Sequence, residues 1–266
     1  METVDKKFTF VRPVLIKNLV RLGCDNDGGY VVSEEIVKNC ENLITLGLGS
    51  DWSFELDYIK SNSKVKIHVY DHTVSSYPYI VDILKYFRRF ITFRTPLKNL
   101  IHRIKYYYKY LNFLKLKNVN FFKTKICLPV TTNRECDLNM VFSKIDKNKK
   151  VVLKIDIEGS EYELTEQITE NANKIKMLII EFHWIDKNEN IFIESVKKLK
   201  QHFEIIHIHG NNHHKKLDSG LPIVLEMSLI NKSEVKGNLD FVNSFPITGL
   251  DFPNNPNKPD IKFKFN

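Results

Sequence analysis

The sequence predicts an α/β fold: a doubly wound, mostly parallel sheet of seven strands with an antiparallel last strand, helices on both faces and a basic helical insert. Three observations carry that expectation. Apolar strand-like runs alternate with helical patterns along most of the chain, two glycines stand one residue apart where the first run ends, and one block of positive charge interrupts the alternation. Right-handed crossovers lay helices over both sides of a parallel sheet, which is why its strands read as near-continuous apolar runs.

The elements follow in order. "NLITLGLG" reads as a strand closing in the glycine turn, "DWSFELDYIKSN" as a helix and "KVKIHVYDHT" as a second strand ending at Asp71. After the basic segment, "FFKTKICLPV" reads as a strand, "NRECDLNMVFSKI" as a helix, "VVLKIDIEG" as a buried strand and "SEYELTEQI" as a short helix. "IKMLIIEFHWI" is the next strand, "NIFIESVKKLKQHF" an amphipathic helix and "EIIHIHGNN" a further strand. "LPIVLEMSLIN" follows without an intervening helix, which makes it antiparallel to its neighbour.

A chain of 266 residues, 42% of them hydrophobic, suits one domain over 1–266. It buries roughly three quarters of its unfolded surface and needs no staple. Cys24, Cys40, Cys127 and Cys136 lack metal-type spacing and read as free thiols in a reducing compartment. No stretch has signal-peptide character or the ~20 apolar residues of a membrane span, so a cytoplasmic location is expected. The net charge of +8 is local: residues 74–125 hold twelve Lys or Arg against one acid, Asp82.

In an open α/β sheet, ligands lie beyond the carboxyl ends of the strands, where strand order reverses. The turn at Gly47, Leu48, Gly49 and Ser50 stands at one such end, and glycines there let a ligand approach the main chain. Asp71 ends the next strand at a spacing that suits a ribose diol. The third glycine of a dinucleotide fingerprint is absent, so the pattern favours a nucleoside without pyrophosphate, of which S-adenosylmethionine is the common example. A helix-capping turn beside a solvated Asp71 is the plainer alternative. Asp156 and Glu158 at the fourth strand's end, Glu181 and His183 at the fifth's, and His207 and His209 at the next are ionisable residues in apolar strands, which points to a cleft.

"LGLGSDWSFE", "VYDHT", "LKIDIEGSEYEL" and "LIIEFHW", in this order, resemble the FkbM family of S-adenosylmethionine-dependent methyltransferases over about Leu43 to Ile185. The resemblance implies a Rossmann-like class I methyltransferase domain that methylates hydroxyls of sugars, including those of antibiotics and cell-surface (capsular) polysaccharides. It gives Gly47 and Gly49 the methionine part of the cofactor and Asp71 its ribose, and it puts Asp156 to Glu158 near the reacting centre. His72, next after Asp71, reads either as a contact to the adenine or as a solvated loop histidine. The preceding "DNDGGYVV", also found ahead of the glycine motif in related sequences, makes Asp27, Gly28, Gly29 and Tyr30 either part of an N-terminal flap over the cofactor, about 1–40, or a plain hairpin bend.

Methyl transfer to a sugar hydroxyl needs a base within reach or a cation that acidifies the hydroxyl. His183, between Asp156 and Glu181, is the expected base, and His209 the second candidate. Asp156, Glu181 and His183 also form a donor set that suits magnesium or manganese. The insert at 74–125 reads either as a helix pair with solvated bases or as a lid whose Arg88, Arg89, Arg94 and Arg103 grip the phosphates of a nucleotide-activated sugar. It also suits peripheral contact with an anionic membrane. Bases interleaved with aromatics suit RNA as well, but no Asn or Asp followed by Pro-Pro and an aromatic stands after the fourth strand, so a nucleic-acid substrate is not expected. An RNA or other small-molecule methyltransferase, or a non-catalytic nucleoside- or phosphate-binding module, are the remaining alternatives.

Overall fold

The computed structural model describes residues 2–235, 237 and 240–266. After β1 (Glu2–Thr3) and a 3-10 turn at Lys6–Val11, a hairpin of β2 (Leu19–Leu22) and β3 (Tyr30–Ser33) leads into α1 (Glu34–Asn39). Ser33 caps that helix by accepting a hydrogen bond from the Ile36 amide. Then come β4 (Asn42–Leu46), α2 (Ser53–Ser61), β5 (Lys66–Tyr70), α3 (Tyr77–Ile91), α4 (Leu97–Leu114) and β6 (Val119–Phe122). A small parallel pair, β7 (Lys125–Ile126) and β8 (Glu135–Cys136), precedes α5 (Leu138–Ser143), β9 (Val151–Ile155), α6 (Thr165–Glu170), β10 (Ile175–Phe182) and α7 (Glu189–His202). The chain continues through β11 (Phe203–Gly210) and β12 (Leu225–Asn231), and β13 (Ser244–Phe245) and β14 (Phe263–Lys264) close a small sheet with β1.

Seven strands form the central sheet in the order β11-β12-β10-β9-β4-β5-β6. All run parallel except β12, which is antiparallel to β10 on one side and β11 on the other. This is the Rossmann-like sheet expected. The antiparallel strand, however, is inserted one place in from the edge. Six of its seven residues are buried, and a second partner satisfies the backbone groups that an edge would leave bare. Side chains alternate between two cores: Val151, Leu153 and Ile155 of β9 enter one with Phe142, Phe182 and Phe192, while Val152 enters the other with Trp52, Phe54 and Tyr58.

Two boundaries differ from the expectation. The insert is a helical hairpin, and sheet strand β6 lies within the predicted 74–125 segment. Only Lys125–Ile126 of the run at 121–130, beyond Phe122, is strand, and it pairs with β8 rather than with the sheet. Residues 2–16 pack on the body instead of forming a flap: Val4, Phe8 and Val11 are core residues, and the 3-10 turn packs on α7. Among the described residues of 1–40, Asp27 and Gly28 of the β2–β3 loop and Tyr30 at the start of β3 reach the strand ends.

Strand order reverses between β4 and β9. From β4 the chain steps outward to β5 and β6, and from β9 it steps the other way to β10. The carboxyl ends of β4, β5 and β9 therefore surround the switch-point crevice.

Candidate active site

A cleft of about 360 Å³ occupies that crevice, within the range for small-molecule sites. Gly47, Leu48, Gly49 and Ser50 line it from β4, Asp71, His72 and Thr73 from β5, and Asp156, Ile157 and Glu158 from β9. Asp27, Gly28 and Tyr30 close one side and Thr124, Lys125 and Ile126 another.

The two glycines have different causes. Gly47 sits at φ +81°, and a Cβ there would lie 1.7 Å from the carbonyl oxygen of Asp156, because β4 and β9 converge at this point. Gly49, at φ +59°, has nothing within 4 Å of its would-be Cβ. The first glycine is a packing necessity, and the second leaves an open cradle at the cleft.

Asp71 ties the cleft together. One carboxylate oxygen accepts from the Leu48 and Gly49 amides at 2.8 and 3.0 Å, and the other accepts from the Thr73 amide and hydroxyl and the Val74 amide. Burial raises its pKa, but these donors outweigh burial and the net shift is downward. A carboxylate has about four lone-pair sites, so a ribose diol at Asp71 must share or displace an amide.

At the opposite end, the Tyr30 hydroxyl donates to Asp156 at 2.9 Å. The His183 ring pairs through Nδ1 with buried Glu161 at 2.9 Å, and its Nε2 lies 3.9 Å from Asp156 and 3.6 Å from Glu158. Burial opposes charge on His183, but the Glu161 hydrogen bond and the surrounding carboxylates overcome it, and the pKa is raised. Burial likewise lifts the Asp156 carboxyl, with Lys154, His183 and Tyr30 pulling against it. One donor atom from each of Asp156, Glu158 and His183 lies within 4.8 Å of the others, a spacing that fits one divalent cation.

No protein-family model matches the sequence, and no curated protein matches it. Among solved structures the chain is similar to precorrin-6y C5,15-methyltransferase from Geobacter metallireducens, with 11% identity, 75% of this chain and 88% of that one covered, and a TM-score of 0.38. It is also similar to the Methanococcus jannaschii fibrillarin pre-rRNA processing protein, with 12% identity, coverage of 74% and 68%, and a TM-score of 0.39. Superpositions this loose leave function to be read from the cleft itself.

Several expected site residues stand elsewhere. His209 is not available as a base, because Glu226 occupies its Nδ1 at 3.3 Å and Asp260 its Nε2 at 3.1 Å. Glu181 leaves the metal set to Glu158. Its oxygen accepts from Asn211, and burial beside Asp156 and Glu226 pushes its pKa well up, towards the neutral acid. Gly29 turns away from the cleft against the Cys24 carbonyl and the Arg21 guanidinium. Arg88, Arg89 and Arg94 do not line the cleft. Measured from Asp82, the last α3 residue lining an adjoining groove, the helix rise of about 1.5 Å per residue sets Arg88 about 9 Å further along α3. Arg103 alone reaches that groove, and it is held by Asp82 at 3.3 Å and the Tyr86 hydroxyl at 3.0 Å.

Lys154 is a cleft residue that sequence reasoning misses. It is buried beneath Tyr30, with Nζ 4.9 Å from the ring centre and 3.8 Å from Glu55, and it lines the cleft. The signal was available: a cation inside the apolar run VVLKI raises the same question as Asp156 two residues later.

Proposed function

We propose that the protein is an S-adenosylmethionine-dependent O-methyltransferase acting on a sugar hydroxyl, of a nucleotide-activated sugar or a cell-surface polysaccharide precursor, as the FkbM resemblance implies. The observation that carries this reading is the open glycine cradle at Gly49, set at the switch point between Asp71 and Asp156. The cradle fits the cofactor: Gly47 to Ser50 would hold its methionine part, with Asp71 beside its ribose and Thr124 to Ile126 along the far wall.

When bound, the cofactor supplies an electrophilic methyl group on a sulfonium. The chain aligns the acceptor oxygen and takes its proton. His183 is the proposed base: a hydrogen bond from Nδ1–H to Glu161 leaves the neutral ring's lone pair on Nε2, facing the carboxylates at the cleft. His183 Nε2 would take the hydroxyl proton, and the methyl group would pass from sulfur to the acceptor oxygen with the C–S bond broken and the cofactor left as a neutral thioether. His183→Ala is expected to lower turnover by roughly 10²–10⁴-fold while cofactor binding persists. Normal turnover in that variant removes the assignment. Because the His183 pKa is raised and only its neutral form accepts a proton, the acid limb of the rate profile is expected above the ordinary imidazole range.

A second reading, favoured by the spacing of Asp156, Glu158 and His183, gives these donors a magnesium or manganese ion that acidifies the hydroxyl. Manganese binding, read by paramagnetic resonance without turnover and lost in Glu158→Gln, distinguishes it. A methylation assay on nucleotide sugars beside total RNA tests the substrate. Label in RNA alone overturns the sugar, and cofactor binding without label in any acceptor favours a non-catalytic module.

A further inference from the structure

We propose that the outer face of the α3–α4 hairpin docks on an anionic lipid bilayer. No residue of α3 is buried, yet Ile80, Leu84, Phe87 and Ile91 recur every three or four positions and form one apolar stripe. Leu97, Ile101, Ile104 and Tyr108 form a second stripe on α4. Each of these eight side chains is exposed, and Phe93 at the hairpin tip is 97% exposed. Helix pairs ordinarily turn such stripes inward. Here the inward packing is made by other residues: Phe113 stacks on Trp52 at 5.9 Å, Tyr110 lies tilted against it at 5.7 Å, and Tyr79 stacks on Tyr110 at 4.7 Å. Among the described residues the outer stripes are left without a partner, and exposed apolar surface of that kind marks an interaction site.

Charge decides the occupant. Lys85, Arg88, Arg89, Arg94, Lys98, Lys105 and Lys109 are all exposed on the hairpin, and its one acid, Asp82, is paired with Arg103. A second copy of the chain would set this basic surface against itself. An RNA would meet the bases and leave the aliphatic side chains in water. An anionic bilayer engages both, with headgroups at the Lys and Arg and acyl chains beneath the stripe.

Co-sedimentation of the full chain with vesicles tests this. Binding is expected at least about tenfold stronger on phosphatidylcholine vesicles containing about a third phosphatidylserine than on phosphatidylcholine alone. It should weaken as salt rises from about 0.1 to about 0.5 M. The charge-neutral triple variant Leu84→Ser, Phe87→Ser, Phe93→Ser, checked for an unchanged circular dichroism spectrum, is expected to lose about tenfold more. Should that variant misfold, Arg88→Gln with Arg89→Gln is expected to reduce the anionic preference. The proposal is overturned if the parent binds neither vesicle, if a folded triple variant binds as well as the parent, or if the parent is a dimer that the triple variant dissolves.

Discussion

Gly47→Ala is expected to destabilise the protein by roughly 3–5 kcal/mol and to lower its melting temperature by about 10 °C or more. The new methyl group meets the Asp156 carbonyl oxygen at 1.7 Å, and that oxygen belongs to backbone. Relief requires β9 to shift against β4, which breaks the bond from the Asp156 amide to the Leu46 carbonyl at 2.9 Å. The positive φ adds to the cost. Gly49→Ala shares the positive φ but meets open space, so it should cost only about 1 kcal/mol. Denaturant unfolding of the two variants side by side separates clash from φ. Equal losses would mean that the strands do not converge as described.

His209→Ala is expected to cost roughly 3–5 kcal/mol, because it leaves Glu226 and Asp260 facing an empty site. Burial works against charge on His209, but its bonds to Asp260 and Glu226 prevail and its pKa is pushed up to about 10. A pKa raised on folding contributes stability that is fully present below the unfolded value, near 6.5, and is lost as pH rises through the folded one. Unfolding free energy should therefore fall between about pH 6.5 and about pH 10, and His209→Gln should flatten that slope. A parent whose stability is level across this window contradicts the buried pair.

The alternation of apolar runs made most of the fold legible, and so did the strand ends that carry the cleft. Gly47, Gly49, Asp71 and Asp156 meet because each closes a parallel strand near the switch point. What stayed hidden depends on contacts between distant segments. The apolar pattern of LPIVLEMSLIN marks a strand but not its insertion between β10 and β11. Strand alternation makes His183 and His209 look equivalent, but residues 251–260 return over the sheet, and Asp260 takes the free nitrogen of one of them. The spacing of Asp71 points to a ligand acceptor, whereas the loop amides that it accepts from lie nearby only once the chain has folded. In the insert, helical spacing marks a helix pair without showing which of its aromatics pack on Trp52.

Titration calorimetry with S-adenosylhomocysteine, on the parent and on Gly49→Ala, tests the central claim most directly, that the glycine cradle at the switch point holds a nucleoside ligand. One-to-one binding to the parent, weakened at least about tenfold by a methyl group at Gly49 in a folded variant, is the predicted result. No binding to the parent, or equal binding to both proteins, contradicts it.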